Sequence, residues 1–227
     1  MQYKAIMIGN SDGIGLATTK SLLADNWHIT GISRSKSPIT NIAYYHRVAD
    51  VSHSKYSELL NEILSEGPFD LCIYFAGIGE VLNPLDMSNE PRVIDVNLTG
   101  MVKTAAKVIP QMVKRGRGHF IGVSSLADEL ISAEAPSYHA SKAGFSNYLR
   151  GLSLALSSKG IYVTNVRFGF VDTKMAKGDI KPLMMNVERA VKHIQSCIKK
   201  KPVCCTAPKL AIPLIKFRKL MMLLGAK

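Results

Sequence analysis

No Asp or Glu follows Glu188 in this chain, and no C-x-x-C pair occurs anywhere in it. The four cysteines, Cys72, Cys197, Cys204 and Cys205, have no histidine partner at zinc spacing. That excludes a structural metal site and a disulfide framework. Buried free thiols are expected instead, Cys72 in an apolar strand and Cys204-Cys205 in a late one, in a reducing, cytoplasmic setting. The first strand begins almost at residue 1, so no signal peptide is expected. Internal repeats and low-complexity linkers are missing too. The want of acids at the end of the chain locates the charge. Ten cations lie between Arg189 and Lys227, so of the net +12 the rest of the chain carries only +2. No helix-turn-helix, zinc-finger or stacking-aromatic pattern accompanies them, which argues against a nucleic-acid partner.

At 47% hydrophobic, 227 residues can bury the core of one α/β domain. Strand-like and helix-like stretches alternate throughout. Strands are expected at 3–8, 27–32, 42–48, 69–75, 118–124, 161–168 and 202–207. Helices are expected at 13–25, 53–66, 89–114 (adjusted near Gly100 or Pro110), 136–159 and 187–200. Near-continuous apolar strands separated by helices predict a doubly wound parallel sheet of about seven strands, covered on both faces.

Tyr138 and Lys142 stand four apart in Y-H-A-S-K, thirteen residues after Ser125. On a helix, positions i and i+4 share a face. The ammonium there is expected to lower the phenol's pKa from about 10 towards the range of an acid–base catalyst. Ser125 ends the apolar run H-F-I-G-V-S-S, which reads as a strand reaching its carboxyl edge, where open α/β sheets bind ligands. At the amino terminus, Y-K-A-I-M-I runs into G-N-S-D-G-I-G and then a helical pattern. Strand, glycine-rich turn and helix form a dinucleotide-binding context in which backbone N–H groups and the helix dipole face a pyrophosphate. The turn offers Gly9, Ser11, Gly13, Ile14 and Gly15 as its contacts.

These motifs resemble those of the short-chain dehydrogenase/reductases, in that family's order, over roughly residues 1–205. The resemblance implies a Rossmann-like fold, with Gly9, Gly13 and Gly15 as cofactor glycines. It implies Asp50 and Val51 at the adenine, and Phe75-Ala76-Gly77 at the place of the N-A-G motif, with Ala76 and Gly77 touching the cofactor. Asn97 in D-V-N-L-T-G matches the active-site asparagine, expected to help hold a water linking Lys142 to solvent. Ser125, Tyr138 and Lys142 match the catalytic trio, and Gly169, Val171 and Thr173 lie in the segment that closes over the nicotinamide. The implied reaction is hydride transfer between nicotinamide and a carbonyl or carbinol carbon. Tyr138 then moves the proton, Lys142 holds the ribose, and Ser125 orients the substrate oxygen. Ile8, Phe75 and Phe168 depart from the usual threonine, asparagine and proline. A homo-oligomer, dimer or tetramer, is expected. A cofactor-binding regulator or scaffold, and an isomerase or dehydratase using hydride transiently, are the alternatives on this fold.

Strand 2 runs into G-I-S-R-S-K, with Arg34 and no acid to hold ribose hydroxyls. A planar guanidinium suits a 2′-phosphate, which favours NADP(H) over NAD(H), although Asp12 works against a further anion. Residues 174–186 occupy the lid position; their three methionines and Leu183 suggest an apolar, adaptable cover and a small apolar carbonyl or alcohol substrate. Residues 1–207 are expected to form the domain and 208–227 a basic amphipathic extension. In that extension Pro213 could start a helix, and Leu214, Phe217, Met221 and Leu224 form a stripe. The run is too short and too charged to span a bilayer. Packing on its own domain, on a second subunit, or peripherally on an anionic membrane surface is open to it.

Overall fold

The computed structural model describes residues 2–176 and 181–223. Seven strands form one parallel sheet in the order β3-β2-β1-β4-β5-β6-β7. They are β1 Lys4–Ile8, β2 His28–Ser33, β3 Tyr44–Val48, β4 Leu71–Tyr74, β5 Gly118–Ser125, β6 Ile161–Phe168 and β7 Cys204–Ala207. The central strands β1 and β4 hold fully buried runs such as Ala5 to Ile8, as a sheet covered on both faces requires. Between them run α1 Gly13–Ala24, α2 Tyr56–Ser65, α3 Asn89–Ile94, α4 Gly100–Lys114, α5 Pro136–Leu156, α6 Val187–Lys200 and α7 Ala211–Leu223.

Two apolar layers sandwich the sheet. On one side α2, α4 and α5 bury Leu60, Met101 and Phe145 against Ile6, Tyr74 and Phe120. On the other, α1 and α6 bury Leu22 and Ile194 against Met7, Ile73 and Ile121. Each such side chain contributes about 1.5–3 kcal/mol. The chain grows one way from β1 through β2 to β3, then returns to pair β4 with the far side of β1. That reversal leaves a crevice at the carboxyl edge, the place an open α/β sheet offers a ligand.

β6 and α6 have the bounds the sequence predicts, and the others differ by one to three residues at an end. The long helix at 89–114 is adjusted immediately before Gly100, and not at Pro110, which lies inside α4. The change is a π-turn at Asp95–Thr99 centred on Asn97. One extra residue in a helical turn re-aims a side chain, and such turns gather at functional sites. The expectation of buried thiols fails for Cys204, which is exposed, while Cys72 and Cys197 are buried and Cys205 is intermediate. β7 is an edge strand, and its alternation turns Cys204 outward. No helix among the described residues is long and apolar enough to cross a membrane.

Candidate active site

The glycine turn comes first at the crevice. Gly9 has φ +83°, and a Cβ there would lie 2.5 Å from the backbone nitrogen of Ala76, so only glycine lets the turn lie against the end of β4. Asp12 caps α1, its carboxylate accepting from the Gly13 N–H at 2.8 Å. Lys174, across the crevice, pairs with that carboxylate at 2.7 Å. The Lys174 hydrogen bond, followed by that of Gly13, holds the Asp12 carboxyl below its usual range. Thr173 also reaches the turn, its methyl 3.3 Å from where a Gly13 Cβ would stand. The glycine turn and the 169–173 segment thus face each other.

Pro136 opens α5 and Gly160, at φ 71°, follows its last turn, as their backbone preferences dictate. The helix carries Tyr138 and Lys142 one turn apart on the face turned to β5. Lys142 is buried, and its Nζ donates to the Val123 carbonyl at 3.2 Å. Burial pushes its pKa down to about 8, while the charge of Asp128 acts upward. Tyr138 is half-buried. The expected fall in its pKa is not what the structure gives. Burial raises the phenol above its ordinary value, the Ser125 hydroxyl opposes that as a hydrogen-bond partner, and Asp128's charge adds to it. The sequence placed a full lysine charge beside the phenol but could not show that both groups lose solvent together.

Ser125 is the last residue of β5, and its Oγ accepts from the Ala127 N–H at 3.1 Å. The same hydroxyl is a hydrogen-bond partner of Tyr138. Asn97, fully buried, accepts from Ile78 N–H at 2.8 Å and donates to the Ile78 carbonyl at 2.9 Å and to Ser141 Oγ at 3.0 Å. Both amide hydrogens are engaged, and these bonds clamp the loop after β4 onto α5. A Cβ on Gly77 would stand 3.4 Å from Asn97 Oδ1, 3.5 Å from Met175 Cε and 3.6 Å from Lys142 Nζ. Glycine at 77 therefore keeps open a hollow walled by the asparagine, the lysine and the lid methionine.

At the adenine end, Arg34 is exposed directly after β2. Asp50 accepts from Ser52 N at 2.9 Å and Ser52 Oγ at 2.6 Å. Burial works to raise its pKa, but the Ser52 donors and the charges of Arg92 and Arg34 outweigh it and hold the carboxyl low. Val51 is buried in the core layer under α4. Met185 is also core, bridged in parallel to Val171, while Met175, Leu183 and Met184 are exposed. The apolar cover therefore has three members here, with residues 177–180 of the lid outside the described residues.

The sequence did not single out Asp128 and Arg167. Arg167 Nε and Nη2 donate to the two Asp128 oxygens at 2.7 and 2.6 Å, and Nη2 also reaches Glu129 at 2.5 Å. Ser146 of α5 donates to Asp128 at 2.5 Å and bonds Ser124 Oγ at 2.8 Å. The Asp128 side chain is only 4% exposed. The available signal was an arginine inside the apolar run I-Y-V-T-N-V-R-F, which demands a buried partner.

A family model described as short chain dehydrogenase matches residues 3–182. The chain belongs to the short-chain dehydrogenase family. It is an oxidoreductase of that family, of the kind acting between alcohol and carbonyl with a nicotinamide cofactor. An uncharacterized oxidoreductase of Myxococcus xanthus (strain DK1622) is 37% identical over 124 residues, covering 54% of this chain and 49% of that protein, so the aligned part is about half of that relative's length. The cis-4-hydroxycyclohexanecarboxylate dehydrogenase of Sinomonas cyclohexanicum is 27% identical over 187 residues, covering 77% of this chain and 75% of that one. A short-chain dehydrogenase from Sphingobium yanoikuyae, solved in complex with NADPH, superposes with a TM-score of 0.83 at 21% identity, covering 99% of this chain and 96% of that one. At that identity the likeness concerns the fold.

Proposed function

We propose that this dehydrogenase reduces the carbonyl of a small apolar compound with NADPH, and runs the reverse oxidation on the corresponding alcohol. The observation that carries the reading is the convergence of Ser125, Tyr138 and Lys142 beside the hollow that Gly77 keeps open. A nicotinamide cofactor fits that site. A buried ammonium with three N–H donors and one protein acceptor, the Val123 carbonyl, has hydrogens to offer ribose hydroxyls across the Gly77 gap. The Gly9 turn and the start of α1 suit a pyrophosphate.

When bound, the cofactor supplies the hydride. The protein supplies position and protons. Ser125, held at the end of β5 by the bond from Ala127 N–H, donates its hydroxyl hydrogen to the substrate oxygen. Tyr138 passes its phenolic proton from Oη to that oxygen in reduction and takes it back in oxidation. The raised phenol pKa keeps the proton in place until the oxygen acquires charge. Lys142 presents its cation to ribose and phenol, and Asn97 holds the 77–79 loop in register with α5. Met175, Leu183 and Met184 give the substrate side an apolar lining that shuts out water.

Arg34 supports NADPH over NADH. No carboxylate stands from Ser33 to Lys36 to take ribose hydroxyls, and Lys174 offsets the Asp12 charge that would repel a further anion. The experiment is NADPH oxidation across a panel of apolar ketones and aldehydes, with Tyr138→Phe beside the wild type. The variant should lose at least about a hundredfold in turnover while still binding NADPH. A variant that turns over at the wild-type rate would remove Tyr138 from the chemistry.

A further inference from the structure

We propose that the outward face of α7 is a contact surface for an anionic membrane. This goes beyond carbonyl reduction and does not rest on it. The helix is docked by one stripe only. Ala211 and Ile215, one turn apart and each 8% exposed, pack on Leu126 and Leu130 around the 3-10 turn Leu126–Glu129, and Lys219 Nζ approaches Glu129 at 3.9 Å. A second stripe, Leu210, Leu214 and Phe217 at i, i+4 and i+7, faces away, at 76%, 54% and 61% exposure. This is the stripe the sequence marks through Leu214 and Phe217; the side chain of Met221 and all of Leu224 lie outside the described residues. Three large apolar side chains side by side, one in the turn before α7 and two on the helix itself, mark an interaction surface.

Charge decides between the occupants. The segment that carries the stripe, residues 208–227, has five cations and no acid. A second copy seated by two-fold symmetry sets the same cationic segment against itself, which brings like charges together. An anionic headgroup layer complements it. Leucine and phenylalanine side chains enter the acyl boundary while Lys209, at the start of the stripe, meets lipid phosphates. The docking point adds a consequence for the active site. The turn on which α7 rests begins at the residue after Ser125, so adsorption holds the reaction site beside the lipid, where apolar carbonyl compounds concentrate.

The test is co-sedimentation of the full chain with vesicles of phosphatidylcholine alone and of phosphatidylcholine mixed with phosphatidylglycerol. Wild-type protein should bind the mixed vesicles, bind the neutral ones much more weakly, and release as salt is added. Lys209→Gln should weaken binding roughly fivefold. Leu214→Ser with Phe217→Ser should weaken it more than about tenfold, with unfolding temperature unchanged because both side chains already face solvent. Equal binding to the two vesicle types, or none to either, overturns the proposal from wild-type protein alone. So does an apolar double variant that turns a sedimenting dimer into a monomer while vesicle binding persists, which would give the face to a second copy.

Discussion

Lys142 sets the charge state of the site. Burial brings its pKa to about 8, far nearer neutrality than the ordinary 10.5. Tyr138 is shifted the other way, above its ordinary value. At neutral pH the ammonium and the phenol are therefore both protonated, the state that carbonyl reduction needs. A lysine whose pKa is depressed gives up its proton early, so the cation is complete below about 8 and is lost as pH rises through it. The kcat/KM for reduction should accordingly fall by a one-proton limb centred near 8. A profile that stays flat up to the ordinary lysine value of 10.5 would separate catalysis from this group. The sequence made these residues legible through spacing alone, since i and i+4 on a helix fixes a shared face. It could not reveal the direction of the tyrosine's shift. That depends on how the loop after β4 and the body of β5 close over α5, with Gly79 lying 3.4 Å from the Tyr138 ring at the position a Cβ would take.

Among the elements, β5, the 3-10 turn after it, β6 and α5 are tied by Asp128. Its carboxylate receives Arg167 from β6 and Ser146 from α5, and it is the negative charge acting on Lys142. Asp128→Ala leaves Arg167 with only the partly exposed Glu129 for an acidic partner, so it should cost on the order of 3 kcal/mol, a fall in unfolding temperature of roughly 6–12 °C. Adding Arg167→Met should restore much of that loss, because the charge then left without its arginine, Glu129, is partly exposed to water. Additive losses in the double variant would show that the pair contributes through packing alone. Asp128→Asn should also move the limb near pH 8 to lower pH, since the charge that raises Lys142's pKa is gone. The Asp128–Arg167 tie was only half legible: an arginine in an apolar strand demands a partner, but which acid waits for it is a matter of tertiary placement. An adjustment near Gly100 was legible, but not its form as a π-turn at Asp95–Thr99. D-V-N-L-T continues a helical pattern, and the extra residue is selected by the Asn97 bonds to Ile78 and Ser141 across the fold. The two apolar stripes of α7 posed the same difficulty. Ala211 with Ile215 and Leu214 with Phe217 are similarly apolar, and only the surface offered by Leu126 and Leu130 decides which one docks.

Over the whole molecule, the sheet runs without a break from β3 to β7, and the crevice draws on β1, β2, β4, β5 and β6. A ligand that bridges the Arg34 end and the Lys142 end therefore touches both halves of the sheet at once. Binding to the folded state alone stabilises it, by about 2.7 kcal/mol at a hundred times the dissociation constant. For a chain of this size that is a rise in unfolding temperature of roughly 5–11 °C. If Arg34 receives a 2′-phosphate, NADPH should raise the temperature more than NADH at equal concentration. A tenfold difference in affinity amounts to about 1.4 kcal/mol, or roughly 3–5 °C. Arg34→Ala should bring the NADPH curve down onto the NADH curve and leave the NADH curve where it was. The residue is exposed and makes no core contact, so the unliganded protein should melt as before. An equal response of the wild type to both cofactors would place the discrimination elsewhere, and an NADPH advantage surviving in Arg34→Ala would take the phosphate away from Arg34 and give it to Lys36 or the serines beside it.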